Sequence, residues 1–477
     1  MKEKSIKVNA IYNILLTLSN IVFPLVTFPY VSRILNPIGL GTTSFFTSIS
    51  SYCVLVASLG ISTYGIRAVA KVREDKEELT KVFQELTLIN IFMSVIVSIL
   101  LLFVSFGVEQ LRSEMGLLLI TCITILVSPL SLNWFYSGIE EYSYITKRSI
   151  LLKFVSLILT FLLVRKADDY VIYAGITLFS VLSSNALNII QCRRYVSFKI
   201  RKDLKFRHHV KPMWYLFASL LAVNVYTNLD TVMLGFINGN KAVGLYSVAT
   251  KVKWILLSVV TSISTVLLPR FSFYISQKQT SKFNSIMRES ISVIFFISIP
   301  LTVFFMLEAK NSILLLGGNE YVEATVAMQM LMPILLISGF SNITGNQILI
   351  PTGREKYFMN AVTSGAFVNL MLNFFLMPIL GVLGAALATL IAEFTQMFVQ
   401  YRYSVDYLRG NIPFRSIMKF ASSALLSGIF VLGINHLVVI NNLIFHLGLS
   451  GILYFLFYFI MLVILKEATI KKFLEIL

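Results

Sequence analysis

The chain has 477 residues, of which 57% are hydrophobic and only 13% charged, yet its formal net charge is +17. So apolar a composition excludes a disordered chain and an ordinary water-soluble enzyme, and basic clusters placed between apolar runs are topology signals rather than a nucleic-acid footprint. Three cysteines, with Cys53 and Cys122 inside apolar runs, suggest neither a disulfide framework nor a metal site.

A helix needs about 20 mostly apolar residues to cross a bilayer. Windows of that kind begin near Ala10, Leu40, Val82, Met115, Tyr144, Tyr170, Pro212, Val243, Arg288, Thr325, Phe358, Ile379, Phe414 and Phe445. They predict an all-α polytopic membrane protein with about 14 transmembrane helices. Residues 1–7 form a basic tail, and the first window continues without a small-residue cleavage site, so no cleavable signal peptide is expected. The first segment carries Asn13, Thr17, Asn20 and Thr27 on its polar face, Pro24 and Pro29 as candidate bends, and Arg33 at its outer end. In the second, Ser44, Ser48, Ser51, Ser58 and Ser62 recur at helical spacing, and Arg67 closes the cytoplasmic end.

Segments three to six are more apolar, with Arg148 and Lys153 early in the fifth as weaker cationic candidates. The connection from Arg193 to Lys211 is strongly basic, which suits contact with anionic lipid heads. Segment seven brings Asn224, Asn228 and Asp230. Segment eight carries a stripe of Ser247, Lys251, Trp254, Ser258, Thr261 and Thr265, and ends at Arg270. Pro300 and Pro333 are candidate bends in segments nine and ten, and Glu393 with nearby Gln396 lies in segment twelve.

Most of the 40 basic residues fall on one face if the N-terminus and every even-numbered connection share it, which puts both termini in the cytoplasm. An internal repeat then organises the helices. At an offset of 203 residues, Gly41 aligns with Gly244, Ser44 with Ser247, Thr47 with Thr250 and Arg67 with Arg270. A second echo pairs Gly138, Glu140 and Tyr142 with Gly353, Glu355 and Tyr357. Expected domains are a six-helix bundle over 1–195, a basic linker over 196–211, a second six-helix bundle over 212–404, and two additional helices over 405–477. An even number of helices per copy keeps both copies in the same orientation, related by a pseudo-twofold axis along the membrane normal.

Hydroxyls at membrane depth either hold helices together and bond their own backbone, or line a cavity; matching stripes in two repeats favour the cavity. A charge at a helix centre costs about 2.5–3.5 kcal/mol on insertion scales and so faces a cavity or a partner. Lys251 either contacts an anionic substrate or pairs with Asp230 or Glu393, while Lys253 points away and snorkels or pairs elsewhere. Guanidinium forks suit phosphate oxygens, so Arg33, Arg67 and Arg270 are candidates at the cavity mouths, although topology anchoring explains the last two equally well. Asp230 and Glu393 are candidates for proton or cation coupling, or for helix-end salt bridges. There is no phosphate-cradling loop, no dinucleotide fingerprint and no zinc-spaced cluster, and His208, His209, His436 and His446 are not expected to act as ligands. No catalytic residue, cofactor or metal is expected.

Several stretches resemble bacterial polysaccharide flippases of the multidrug/oligosaccharidyl-lipid/polysaccharide exporter superfamily: FPYVSRIL from Phe28, LGISTYGIR from Leu59, NLDTVMLG from Asn228, VGLYSVA from Val243, QILIPTGREKY from Gln347 and GVLGAA from Gly381. The resemblance covers almost the whole chain. It implies a MATE-like fold with two six-helix bundles and two C-terminal helices, in the bacterial cytoplasmic (inner) membrane. It also implies a flippase for undecaprenyl-diphosphate-linked oligosaccharide repeat units of O-antigen or capsule, working by alternating access through a cationic cavity. The substrate diphosphate and sugar would meet Lys251, Arg67, Arg270 and Arg33. Polar lining would come from Ser44, Ser48, Ser51, Asn20, Asn224, Asn228, Ser247 and Trp254. Partners would be the lipid-linked oligosaccharide, membrane lipid, and the polysaccharide polymerase with its chain-length machinery, but no nucleic acid. Lipid II flippases of this superfamily carry an arginine in the middle of the first helix, where this chain has Pro24 and Thr27. The alternatives are a cation-coupled multidrug antiporter of the same fold, which would need a more acidic cavity, and a membrane glycosyl polymerase or ligase, which would need an acid/base constellation.

Overall fold

The computed structural model describes residues 6–277, 279–437, 440 and 442–470, without the side chains of residues 6, 7, 10, 219, 222–227, 263–266, 268 and 269. Most of the basic tail and the side chains of Asn224 and Thr265 thus lie outside the described residues. Among the described residues all regular elements are helical, and the chain divides into two compact units, Met1–Gly244 and Leu245–Leu477. Unit 1 contains α1 (Ile6–Ser58), α2 (Ile61–Val72), α3 (Lys76–Gly107), α4 (Glu109–Arg112), α5 (Met115–Val127), α6 (Asn133–Gly138), α7 (Tyr142–Leu163), α8 (Tyr170–Cys192) and the first part of α9 (Arg207–Ser276). Unit 2 contains the rest of α9, then α10 (Thr280–Leu307), α11 (Ala309–Leu316), α12 (Thr325–Leu331), α13 (Ile334–Asn342), α14 (Glu355–Leu380), α15 (Val382–Leu408), α16 (Phe414–Leu437) and α17 (Leu443–Ile464).

Among the described residues 10 helices are long and apolar enough to cross a membrane, or 11 if the bent pair Asn319–Leu331 and Ile334–Leu349 forms one span. Three features bring this into line with the larger number of windows in the sequence. α1 and α9 each carry two windows in one nearly continuous helix, and α7, with Lys147, Arg148 and Lys153, is less apolar than its neighbours. Large apolar side chains such as Phe92, Phe103 and Phe106 on α3 point outward, as lipid contact requires, while backbone polar groups are satisfied inside each helix.

The breaks in the two long helices are equivalent. α1 departs from helical geometry at Asn36 (φ 57°, ψ 172°) and α9 at Gly239 (φ 80°, ψ 178°), 203 residues on. Pro37 follows Asn36 and disfavours helical backbone there; at Gly239 the missing side chain is enough. Pro24 and Pro29, by contrast, lie in α1 without a non-helical residue beside them, whereas Pro333 does mark a bend, of 41°.

The turns after these breaks pack on each other within unit 1. A Cβ on Gly41 would lie 1.8 Å from the Asn240 carbonyl oxygen, and one on Gly244 would lie 1.9 Å from the Pro37 carbonyl oxygen. Gly41 and Gly244 are equivalent in the repeat, as are Pro37 and Asn240. The contact is therefore reciprocal, as a twofold relation demands, and it needs two residues without side chains. At the other end of unit 1, α3 starts where Asp75 caps it, accepting the Glu77 and Glu78 amides at 2.9 and 3.2 Å, an arrangement worth about 1 kcal/mol. An aromatic core of Phe83, Trp134, Phe135 and Tyr136 joins α3 and α6 there.

Candidate functional site

The second half of α1 presents its polar face toward α5 and α8, forming a cleft of about 290 Å³. Thr43, Thr47, Ser50, Ser51, Thr121, Thr124 and Thr177 supply hydroxyls to its wall, beside Phe46 and Tyr173. Of the expected stripe, Ser51 lines this cleft, Ser44 is half-buried and Ser48 buried. Many stripe hydroxyls donate to their own helix: Ser51 to the Thr47 carbonyl at 2.9 Å, Ser58 to Leu55 at 2.9 Å, Ser258 to Ile255 at 2.6 Å and Thr261 to Leu257 at 2.9 Å. This satisfies the hydroxyl hydrogen and leaves each oxygen able to accept from a ligand.

Lys153 reaches from α7 to the first half of α1, donating to Ser19 at 2.9 Å and to the Asn20 side-chain oxygen. A cation thus stands beside Asn20, a residue expected only as neutral lining. Arg148, five residues earlier on α7, is buried and donates to Asn133 at 2.7 Å and to Asn188, with its guanidinium 5.5 Å from the Tyr144 ring centre. Three helices are clamped by the two outer nitrogens of that one fork, which gives Arg148 a structural role. Arg33, just before the α1 break, and Arg67, on α2, are both exposed and lie at opposite ends of the second span. Asn228 is half-buried and Asp230 buried on the part of α9 before Gly239.

In unit 2, Ser247 and Lys251 sit one turn apart on α9, both half-buried. Lys253 is more buried than Lys251, and its ammonium lies 5.1 Å from the centre of the exposed Trp254 ring, within cation–π range. Of the two roles expected for Lys253, snorkelling or pairing elsewhere, the cation–π contact with Trp254 is the pairing. Arg270 is exposed near the end of α9. Glu393 is 9% exposed and accepts the Ser338 hydroxyl at 2.8 Å. It begins a polar row along α15, in which Gln400 accepts from Ser341 and Thr344, each at 2.8 Å.

The geometry therefore joins Asn20 to Lys153, Trp254 to Lys253 and Glu393 to Ser338. Neither the first pairing nor the Arg148 clamp has a local signal, because the partners are separated by many residues and by intervening helices. Glu308, at the end of α10, likewise has no local signal; it is buried and accepts from Asn311 at 2.6 Å and Asn435 at 2.9 Å, tying α16 to α10.

Comparison with known proteins places this arrangement. The chain matches the polysaccharide biosynthesis protein family over residues 6–275 and the MatE family over residues 216–395. It is 24% identical over 393 residues to an Escherichia coli K12 protein named "Putative O-antigen transporter", covering 82% of this chain and 94% of that one. Among solved structures, the lipid II flippase MurJ in an inward closed conformation aligns with a TM-score of 0.76 at 17% identity, over 97% of this chain and all of that one. A multidrug resistance MATE transporter of the MOP superfamily in an inward-facing conformation aligns at 0.60 and 15% identity, over 83% of this chain and 95% of that one. These likenesses establish a MATE-like fold.

Proposed function

This chain belongs to the polysaccharide biosynthesis protein family, within the multidrug/oligosaccharidyl-lipid/polysaccharide exporter superfamily, and on that premise we propose that it flips undecaprenyl-diphosphate-linked oligosaccharide repeat units across the bacterial cytoplasmic membrane. It is a transporter and not an enzyme. The exported units feed surface polysaccharide such as O-antigen or capsule, both termini lie in the cytoplasm, and a polymerase with its chain-length machinery takes up the product.

The observation that carries this reading is the sign of the charge within the spans. Lys153, Lys251 and Lys253 lie well inside apolar helices and outnumber Asp230 and Glu393 there. A cation at a helix centre costs about 2.5–3.5 kcal/mol on insertion scales, which a diphosphate offsets through charge-assisted hydrogen bonds. A carrier of cationic drugs would have the opposite excess. In the proposed cycle Lys251 holds the diphosphate at membrane depth, while Arg33, Arg67 and Arg270, each near the end of its own span, receive and release it. Ser44, Ser48, Ser51, Asn20, Asn224, Asn228, Ser247 and Trp254 offer neutral contacts to the sugar. Asp230 and Glu393 are the sites to test for ion coupling.

The deciding experiment is translocation of undecaprenyl-diphosphate-linked oligosaccharide in proteoliposomes at equal reconstituted amounts. Wild type should flip it, Lys251→Arg should retain most of the rate, and Lys251→Ala should fall at least about tenfold, the scale of a lost hydrogen bond to a charged group. No flipping under any imposed ion gradient, combined with efflux of cationic dyes, would replace this reading with that of a cation-coupled multidrug antiporter.

A further inference from the structure

Where α3 and α9 both begin, unit 1 gathers three side chains with metal-ligand chemistry. Glu85 is 1% exposed, and its Oε2 lies 2.8 Å from Nε2 of His209, itself 2% exposed. His208 Nε2 lies 3.9 Å from the same oxygen, and the ligand atoms of all three residues fall within 4.8 Å of one another. We propose that Glu85, His208 and His209 form a binding site for a borderline transition-metal ion, Zn2+ being the expected occupant.

The donor set decides the metal class. Two imidazoles and a single carboxylate suit Zn2+, whereas Ca2+ and Mg2+ need a cage of oxygens. Zinc takes nitrogen and oxygen ligands at about 2.0–2.2 Å in a tetrahedron, which sets neighbouring ligand atoms about 3.4 Å apart. The separations of 2.8 and 3.9 Å from the Glu85 oxygen lie on either side of that value, so small rotations of the two rings bring them to it. His208 is the adjustable ligand: its side chain is 55% exposed, and it leaves the fourth position open to water.

The surroundings are built to hold the two buried ligands. His209 Nδ1 lies 2.8 Å from the Tyr64 hydroxyl on α2, which aims Nε2 at Glu85. That hydroxyl can donate to Nδ1 or accept from it, so His209 can present an unprotonated Nε2 to a metal without losing its partner. The other Glu85 oxygen accepts the Lys205 amide at 2.6 Å. Next to Glu85, Gln84 donates to the Ser197 and Lys199 carbonyls, both at 2.9 Å, and accepts the Arg201 amide at 3.1 Å. The basic connection is thus strapped along the start of α3, and a metal would lock the first turn of α9 to the same place. Sequence spacing does not reveal this site, since Glu85 and the histidine pair are linked only by the fold.

The test uses the full chain purified in detergent, freed of its affinity tag and stripped with chelator, then titrated with Zn2+ alone and assayed for bound metal and thermal stability. Wild type is expected to retain one Zn2+ per chain after desalting, to melt at higher temperature with zinc, and to give the visible absorption of tetrahedral cobalt when Co2+ is substituted. His208→Ala, at an exposed position, should bind at least about tenfold more weakly and lose the thermal shift. Glu85→Gln should behave likewise, and His436→Ala should match wild type. Zinc binding that is equal in wild type and His208→Ala, or absent from wild type, overturns the proposal and leaves the cluster as a hydrogen-bonded clamp.

Discussion

Asn36 and Gly239 break two long helices with nearly the same backbone angles, yet only one of them is a residue suited to the task. At φ near +60° to +80° with ψ near 180°, glycine is unhindered while any residue with a Cβ is strained by about 1–3 kcal/mol. The geometry is duplicated although the side chain is not. What enforces it is the reciprocal contact of Gly41 with Asn240 and Gly244 with Pro37, which fixes how the two turns meet. Packing of the two turns therefore acts together with the Pro37 constraint to set the break in α1.

The largest effect should come from filling that contact. Gly41→Val and Gly244→Val each place a side chain where a backbone carbonyl oxygen lies within 2 Å. Neither carbonyl can move without shifting its helix, and overpacking of this kind costs about 1–3 kcal/mol. Both variants should melt well below wild type in detergent, by similar amounts. If Gly244→Val is destabilised and Gly41→Val is not, the contact is not reciprocal and the comparison fails.

A second asymmetry concerns chemistry. The offset that pairs Asn36 with Gly239 also pairs Ser48 with Lys251, so the stripe on α9 has a cation where the stripe on α1 has a buried hydroxyl. Unit 1 obtains its cation from elsewhere, Lys153 on α7 beside Asn20. Lys251→Ser makes the two stripes alike and should lower flipping about tenfold while leaving melting temperature within about 2 °C, since exchanging a half-buried cation for a small hydroxyl removes little packing. A rate unchanged by Lys251→Ser would move the diphosphate contact to Lys153 or Lys253.

How far the sequence could anticipate this depends on range. Apolar windows, the 203-residue echo and the helical stripes are local or periodic signals, and the matching breaks in α1 and α9 follow that echo. The expected bends were less legible. Pro333 marks one, but Pro24 and Pro29 stay within a helix that breaks instead before Pro37, where the turn of α9 packs its backbone against that of α1. Contacts such as Lys153 with Asn20, Arg148 with Asn133 and Asn188, and Glu85 with His209 depend on which helices become neighbours. No spacing in a single sequence encodes that choice.

The smallest expected effect is also the cleanest test of whether the two breaks are equivalent. Asn36→Gly relieves the backbone strain at the break and should stabilise the protein by at most about 1 kcal/mol, because glycine adds freedom to the unfolded chain and Asn36 has an interaction of its own to lose. Gly239→Asn should do the reverse by a similar amount, since a Cβ there meets no neighbour within 4 Å and only the backbone angle opposes it. Both are read from melting temperature in detergent. Opposite shifts of similar size would mean that the two breaks are one structural device with different residues installed. A destabilising Asn36→Gly would mean instead that the asparagine side chain itself holds the turn, and that the repeats reach the same backbone by different means.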